Sequence, residues 1–327
     1  MASSIDQFEV IKHIGSGAYG EVAAVRKING KDEKTVYAMK VMDKKRMCKH
    51  KNMVDHEWKL LTTINNPFFV KMVYSFQTNR HLVFVMPLAG GGDMLSMMER
   101  EYLDESKAHF YICELIEGLS FIHGKQILHR DIKLENLLIG NDGHLMLTDF
   151  GLSATGCNAV DAIQGLIGTR HTMAPEIHLG EAYGLAADWW AVGITYCDMR
   201  NSKGVFEGDN SKEYCDNAAK KRPKLPKNLS ARERGFVNKL IVRNPAQRLG
   251  YGMNGAAEVK EHEFFKGVNW TDVLEKKLTP PFIPNESEIA TFKFFPTPSA
   301  NVTFPDFNSK AVPLHWDNID YTDPKMM

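Results

Sequence analysis

Residues 129–151 constrain this chain most. They read HRDIKLENLL, then a turn at Gly140-Asn141-Asp142-Gly143, then HLMLTDFG. Two short apolar runs around a tight turn have the pattern of a hairpin. That hairpin is expected to bury Ile132, Leu137, Leu138, Leu145 and Leu147, leaving Asp131, Lys133, Asn136 and Asp149 to converge at its ends. A carboxylate that can take a hydroxyl proton, an ammonium for a moving phosphate, and an amide with a second carboxylate for magnesium are the groups phosphoryl transfer requires.

Upstream, residues 6–42 read as short strands with glycine-rich or charged turns between them. Gly15-Ser16-Gly17-Ala18-Tyr19-Gly20-Glu21-Val22 lies between the first two. A dinucleotide-binding reading of G-x-G-x-x-G needs a helix directly after the glycines. Here Glu21 to Lys27 alternates instead, which leaves a plain glycine-rich hairpin or a flap over a triphosphate, with Val22 against the base. Lys40, in Tyr37-Ala38-Met39-Lys40, favours the flap. A lysine set among strand residues needs a partner, because burying an unpaired ammonium is costly. Glu57, on a helix expected over 44–63 with Met53, Trp58, Leu60 and Leu61, is the proposed partner; otherwise it is one more exposed carboxylate. The basic run 44–51 reads as a solvated helix end rather than a nucleic-acid patch. Strands are expected over 69–76 and 81–86, and a hinge over 87–92.

Past the hinge, a short helix is expected from Asp93 and a longer one over 105–124. In the longer helix Ala108, Ile112, Leu115, Leu119 and Ile122 form a core-facing stripe. The segment 186–199 (AADWWAVGITYCDM) is apolar on nearly every face and reads as a buried central helix. Asp188 within it either caps the helix or, if buried, takes its donors from the backbone near Asp131. From Leu278 the chain is rich in Pro and Phe without helical period, as expected of an extended tail that packs its aromatics onto the globule.

At 327 residues the chain suggests two lobes plus an extension. Forty basic residues balance forty acidic ones, so no whole-surface field draws it to nucleic acid or anionic membrane. Five scattered cysteines without a Cys-x-x-Cys pair fit a reducing compartment. The start, MASSIDQFEV, has neither a signal-peptide pattern nor the glycine that myristoylation requires, and no apolar run approaches spanning length. A soluble cytoplasmic or nuclear protein without a membrane anchor is the expectation.

In order and spacing these motifs resemble a eukaryotic protein kinase over residues 8–267. Asn66-Pro67-Phe68, Asp188-Trp189-Trp190 and Pro281-Phe282-Ile283-Pro284 resemble the AGC group, similar to the cyclic-AMP-dependent protein kinase. The resemblance implies an α+β, bilobal fold. A strand-rich N-lobe with one main helix would cover about 8–86, a mostly helical C-lobe about 87–267, and an extended C-terminal tail 268–327. It implies ATP and Mg2+ as cofactors. Ile14, Gly15, Ser16, Gly17, Ala18, Tyr19, Gly20 and Val22 would cover the nucleotide, Ala38 and Leu138 would sandwich the adenine, and Met86 would be the gatekeeper. Lys40, paired with Glu57, would hold the α- and β-phosphates. Asp131 would be the catalytic base, Lys133 would steady the γ-phosphate, and Thr169 would brace both. Asn136 and Asp149 would ligate magnesium, and Glu176 would pair with Arg248.

The same resemblance implies protein substrates with basic residues near a target Ser or Thr, selected by Asp93, Glu135 and Asp198. Asp93 has a second implied role, bonding the ribose. Leu166 and Met173 would form an apolar pocket after the target residue, beside Arg170 where the group has Pro, and Leu152 is the residue type associated with serine targets. The chain departs from the group at the activation loop. Gly165 stands where the activating phosphothreonine would be, and Met53 and Ala154 stand where two phosphate-gripping bases would be, leaving Arg130. Losing acceptor and partners together implies a loop held without phosphate, or ordered by a regulatory protein. The alternative is a pseudokinase that keeps the fold as a nucleotide-binding scaffold. In the tail, Thr297-Pro298 resembles a phosphorylated turn motif, and Phe304 and Phe307 an aromatic docking motif.

Overall fold

Alternating apolar residues draw the first part of the chain into an antiparallel sheet. The computed structural model describes residues 4–17, 19–157, 163–200, 204–252, 254–295, 305, 316 and 319–326; Ala18, Thr297-Pro298, Phe304 and Phe307 lie outside them. The chain divides into two units. Residues 1–65, 69–92 and 284–327 form the first, and 66–68 with 93–283 form the second.

In the first unit, β1 (Phe8–Gly17), β2 (Gly20–Lys27), β3 (Val36–Asp43), β4 (Tyr74–Gln77) and β5 (His81–Pro87) pair in the order β1-β2-β3-β5-β4. Their inward residues, among them Phe8, Val25, Met39, Val41, Phe76 and Val85, make one apolar cluster. The helix expected over 44–63 is broken. α1 (Lys44–Met47), capped by Asp43, passes through a 3-10 turn at Cys48–His50 into α2 (Lys51–Thr63). Lys45 and Arg46 stand four and three residues before Lys49, spacings at which like charges oppose a continuous helix. The strand expected over 69–76 begins only at Tyr74, because the Met72 N–H donates to the Leu61 carbonyl at the end of α2.

The tail supplies two features of this unit. Phe292 and Phe294 are buried, and Gly92 (φ +74) admits Phe294: a Cβ there would lie 2.5 Å from the Phe294 carbonyl oxygen. Further on, the Trp316 indole N–H donates to Asp55 at 2.8 Å, and β10 (Tyr321–Thr322) adds an edge strand against β4. A two-residue strand carries no periodicity, so β10 has no signal in the sequence.

The second unit contains α3 (Met94–Met98), α4 (Glu105–His123), β6 (Ile127–Leu128), β7 (Leu137–Ile139), β8 (Leu145–Leu147), β9 (Ala154–Thr155), α5 (Pro175–His178), α6 (Ala186–Met199), α7 (Ser211–Lys220), α8 (Ala231–Leu240), α9 (Gly255–Lys260) and α10 (Trp270–Leu274); α11 (Glu286–Ala290) belongs to the first. A strand-rich unit and a helical one give the expected α+β fold. Every residue of α6 except Asp198 is buried, as its all-round apolarity requires. β7 and β8 form the hairpin, Leu137 opposite Leu147. Glu114, buried on α4 away from its apolar stripe, anchors it by accepting from the Leu145 N–H at 2.8 Å and meeting His144 Nδ1 at 2.5 Å. Among the described residues no helix is long and apolar enough to cross a membrane.

Trp316 is 2% exposed. Trp316→Ala is expected to lower the unfolding free energy of the first unit by about 3–5 kcal/mol in denaturant titration; an unchanged midpoint would mean that Trp316 contributes nothing to that unit.

Candidate active site

The geometry around Asp131 starts at α6. Asp188 is 1% exposed, and its carboxylate accepts the backbone N–H groups of His129 (2.9 Å) and Arg130 (3.0 Å), with His123 Nε2 at 2.8 Å. The backbone donors anticipated for a buried Asp188 are therefore present, and the histidine is additional. Burial pushes the Asp188 carboxyl up, but His123 and the His129 amide outweigh it and hold it below the ordinary carboxylate range. Turning both amides toward one carboxylate leaves Arg130 left-handed, with φ +68. Such a conformation in a residue with a Cβ persists only where its surroundings enforce it.

Next in the chain, Asp131 is 3% exposed. Its Oδ1 accepts from the Thr169 hydroxyl (2.6 Å) and amide (3.1 Å), and its Oδ2 from Lys133 Nζ and Asn136 Nδ2, both at 2.9 Å. Lys133 Nζ also donates to the Thr169 hydroxyl at 2.8 Å. Burial raises the Asp131 pKa, yet the Thr169 and Lys133 hydrogen bonds prevail and keep it lowered. The carboxylate is therefore ionised and fixed in orientation at neutral pH, as a proton acceptor must be. Asn136 spends its amide nitrogen on Asp131, on the backbone oxygen at 2.7 Å and the side chain, which turns its amide oxygen to other use. Asp149 is left-handed (φ +69) and accepts from the Gly151 N–H at 3.1 Å. An amide oxygen and one carboxylate suit magnesium, which keeps several waters and takes its remaining ligands from phosphate. Glu176 and Arg248 form the expected pair, bidentate at 2.7 and 2.9 Å.

In the first unit Lys40 Nζ meets Glu57 Oε1 at 2.6 Å, with both side chains mostly buried. The exposed-carboxylate reading of Glu57 is excluded. The glycines divide into two kinds. A Cβ on Gly20 would lie 2.3 Å from the Val41 carbonyl oxygen, so the sheet itself demands glycine there. At Gly15 and Gly17 a Cβ would find nothing nearer than 3.9 Å, so the fold makes no such demand and the backbone stays open to close approach. Ser16 and His13 both bind the Glu21 carboxylate, at 2.5 and 2.8 Å, and Tyr19 packs edge-on to His50. Val22 stands opposite Lys40 and Ala38 opposite Met86 in the ladders, while Ile14 is buried with Ala24, Leu88 and Phe292.

The residues expected to set substrate preference differ from one another. Asp93 caps α3 through the Ser96 amide (2.8 Å) and hydroxyl (2.9 Å), and its backbone bridges to Leu138. Glu135 is exposed and lines a cleft of about 1000 Å³ with Lys133, Thr169, His171, Asp198 and Tyr214. Asp198 is already engaged: His171 Nε2 lies 2.7 Å from its Oδ2. Leu166 is 54% exposed whereas Met173 is buried.

The sequence matches the protein kinase domain over residues 8–265. The chain belongs to the protein kinase family. This kinase domain is similar to serine/threonine-protein kinase AtPK1/AtPK6 of Arabidopsis thaliana, 40% identical over 286 residues covering 86% of this chain and 60% of that protein. It is 35% identical to RAC-beta serine/threonine-protein kinase A of Xenopus laevis over 326 residues, 97% of this chain and 64% of that one. With ribosomal protein S6 kinase alpha-2 of Mus musculus it shares 36% over 281 residues, 85% of this chain and 38% of the relative. The kinase domain chain thus spans less than two thirds of each of these proteins.

His123 and His171 escaped sequence reasoning, since a lone histidine carries no spacing signal. Burial lowers the His171 pKa, but Asp198 and then Glu135 prevail, leaving it above the ordinary value near 6.5. A raised folded value means the pair stabilises the fold below about pH 6.5 and loses that contribution as pH climbs through the raised value. An NMR titration is expected to place His171 above free histidine and to show it falling in Asp198→Asn; a titration indifferent to Asp198 would contradict the pairing.

Proposed function

We propose that this protein is a working serine/threonine kinase, transferring the γ-phosphoryl group of ATP to a hydroxyl in protein substrates with basic residues near the target, and that it needs no phosphate on its activation loop. The observation that carries the first part is the Asp131 carboxylate, ionised and held at both oxygens by Thr169, Lys133 and Asn136. In this reading Asp131 orients the substrate hydroxyl and takes its proton, while Lys133 stays beside the phosphoryl being moved. Lys40, fixed by Glu57, would hold the α- and β-phosphates, and Gly15 and Gly17 leave backbone room for a phosphate chain. Asn136 and Asp149 would hold magnesium, which when bound neutralises charge on the phosphates. Catalysis then comes from positioning and charge more than from covalent chemistry.

The preference for basic substrates rests on exposed Glu135, with Asp198 shared with His171 and Asp93 committed to its cap. The phosphate-free loop rests on Gly165 and on Ala154, which pairs with Leu128 and offers no charge. The AGC assignment rests on the tail, whose Phe292 and Phe294 are buried in the first unit.

Purified protein with Mg-ATP and a basic serine peptide is expected to incorporate phosphate at least about 100-fold faster than Asp149→Ala, the scale of losing a key electrostatic group. Equal rates would mean a nucleotide-binding scaffold. Phosphatase pretreatment is expected to leave the rate unchanged, and a loop phosphate found by mass spectrometry to be required for turnover would refute the second part.

A further inference from the structure

Gly165 can carry no phosphate, yet its segment is not unsupported. The Tyr183 hydroxyl donates to the Gly165 carbonyl at 3.2 Å and lies 3.4 Å from Arg130 Nη1, which donates to it. Tyr183 is 2% exposed, and its backbone exchanges hydrogen bonds with Ile163 in both directions, at 3.3 and 3.0 Å. The other two guanidinium nitrogens of Arg130 each donate to a backbone carbonyl: Nη2 to Ser153 at 3.0 Å and Nε to Leu152. At the other end of the segment Gly168 has φ +120, and a Cβ there would lie 2.5 Å from the Arg130 carbonyl oxygen. Residues 163–168 thus meet Arg130 twice, once tied through a phenol and once at a backbone approach too close for a side chain. Arg130 directly precedes Asp131.

We propose that Tyr183 is a positioning residue of this kinase: its hydroxyl ties the activation segment to Arg130, and through the 130–131 backbone to Asp131, with an uncharged phenol in place of a covalently attached anion. The proposal rests on the kinase reading above. A guanidinium has five N–H donors in a planar fork; two carbonyls and one phenol oxygen take one donor from each of its three nitrogens, and each such bond to an uncharged acceptor is weaker than one to an anion. Because the tie is a hydroxyl and not a charge, it needs no modifying enzyme to form and no phosphatase undoes it.

Tyr183→Phe keeps the ring and its burial and deletes only the hydroxyl. Amide hydrogen exchange over residues 163–169 is expected to accelerate about fivefold, the factor one net hydrogen bond is worth, while α4 and α6 exchange as before. In phosphotransfer assays kcat is expected to fall by a similar factor, with KM for ATP unchanged. Tyr183→Phe should add nothing further in an Arg130→Met background, where the tie is already cut. Wild-type exchange over 163–169 in Tyr183→Phe overturns the proposal. So does acceleration spread evenly through the second unit, which would mark a general packing role. If the unaltered protein transfers no phosphate, the kinase reading falls and the exchange result alone decides the role of Tyr183.

Discussion

The arrangement around Asp131 depends on one buried carboxylate. Asp188 sits in a helix whose surroundings are apolar, so its charge must be met by donors or the helix could not stay buried. The donors that reach it are the amides of His129 and Arg130 and the ring of His123. Meeting that demand fixes the path of the chain at residues 129–130, forces Arg130 into the left-handed region, and sets the direction in which Asp131 leaves. The orientation of the proposed base thus follows from the electrostatics of a core helix.

From Asp131 the constraint spreads by shared atoms. Thr169 binds Asp131 and Lys133 together, Asn136 closes on Asp131 from its own turn, and Tyr183 and Gly168 seat the preceding segment on Arg130. Networks of this kind resist partial disassembly, because removing one member leaves a buried polar group without its partner. In our proposal this seating takes the place of the charge that phosphorylation would bring.

Much of this was legible in the sequence. The 129–151 hairpin, the apolar helix with Asp188 inside it, and the Lys40 and Glu57 pair follow from residue type in an improbable setting, a charge inside an apolar pattern, whereas the Glu176 and Arg248 pair came from the family resemblance alone. What stayed hidden depends on three-dimensional neighbours. His123, His171 and Tyr183 look like ordinary core or surface residues until their partners arrive from 65, 27 and 18 positions away. The break between α1 and α2 and the short β4 were misread because period describes a face and not where backbone bonds go. The tail announced its aromatics but not the strand it adds.

The glycines show the same division at finer scale. Gly20 is required by a neighbouring carbonyl, whereas Gly15 and Gly17 are required by nothing in the fold, and that surplus freedom is itself a functional sign. The account's central claim is that the side chains gathered around Asp131 form a metal-assisted phosphoryl-transfer centre. Its most direct test is anomalous diffraction from crystals grown with Mn2+ and a non-hydrolysable ATP analogue. The account predicts manganese coordinated by the Asn136 amide oxygen and the Asp149 carboxylate; metal bound elsewhere, or nucleotide bound with those two groups unligated, would contradict it.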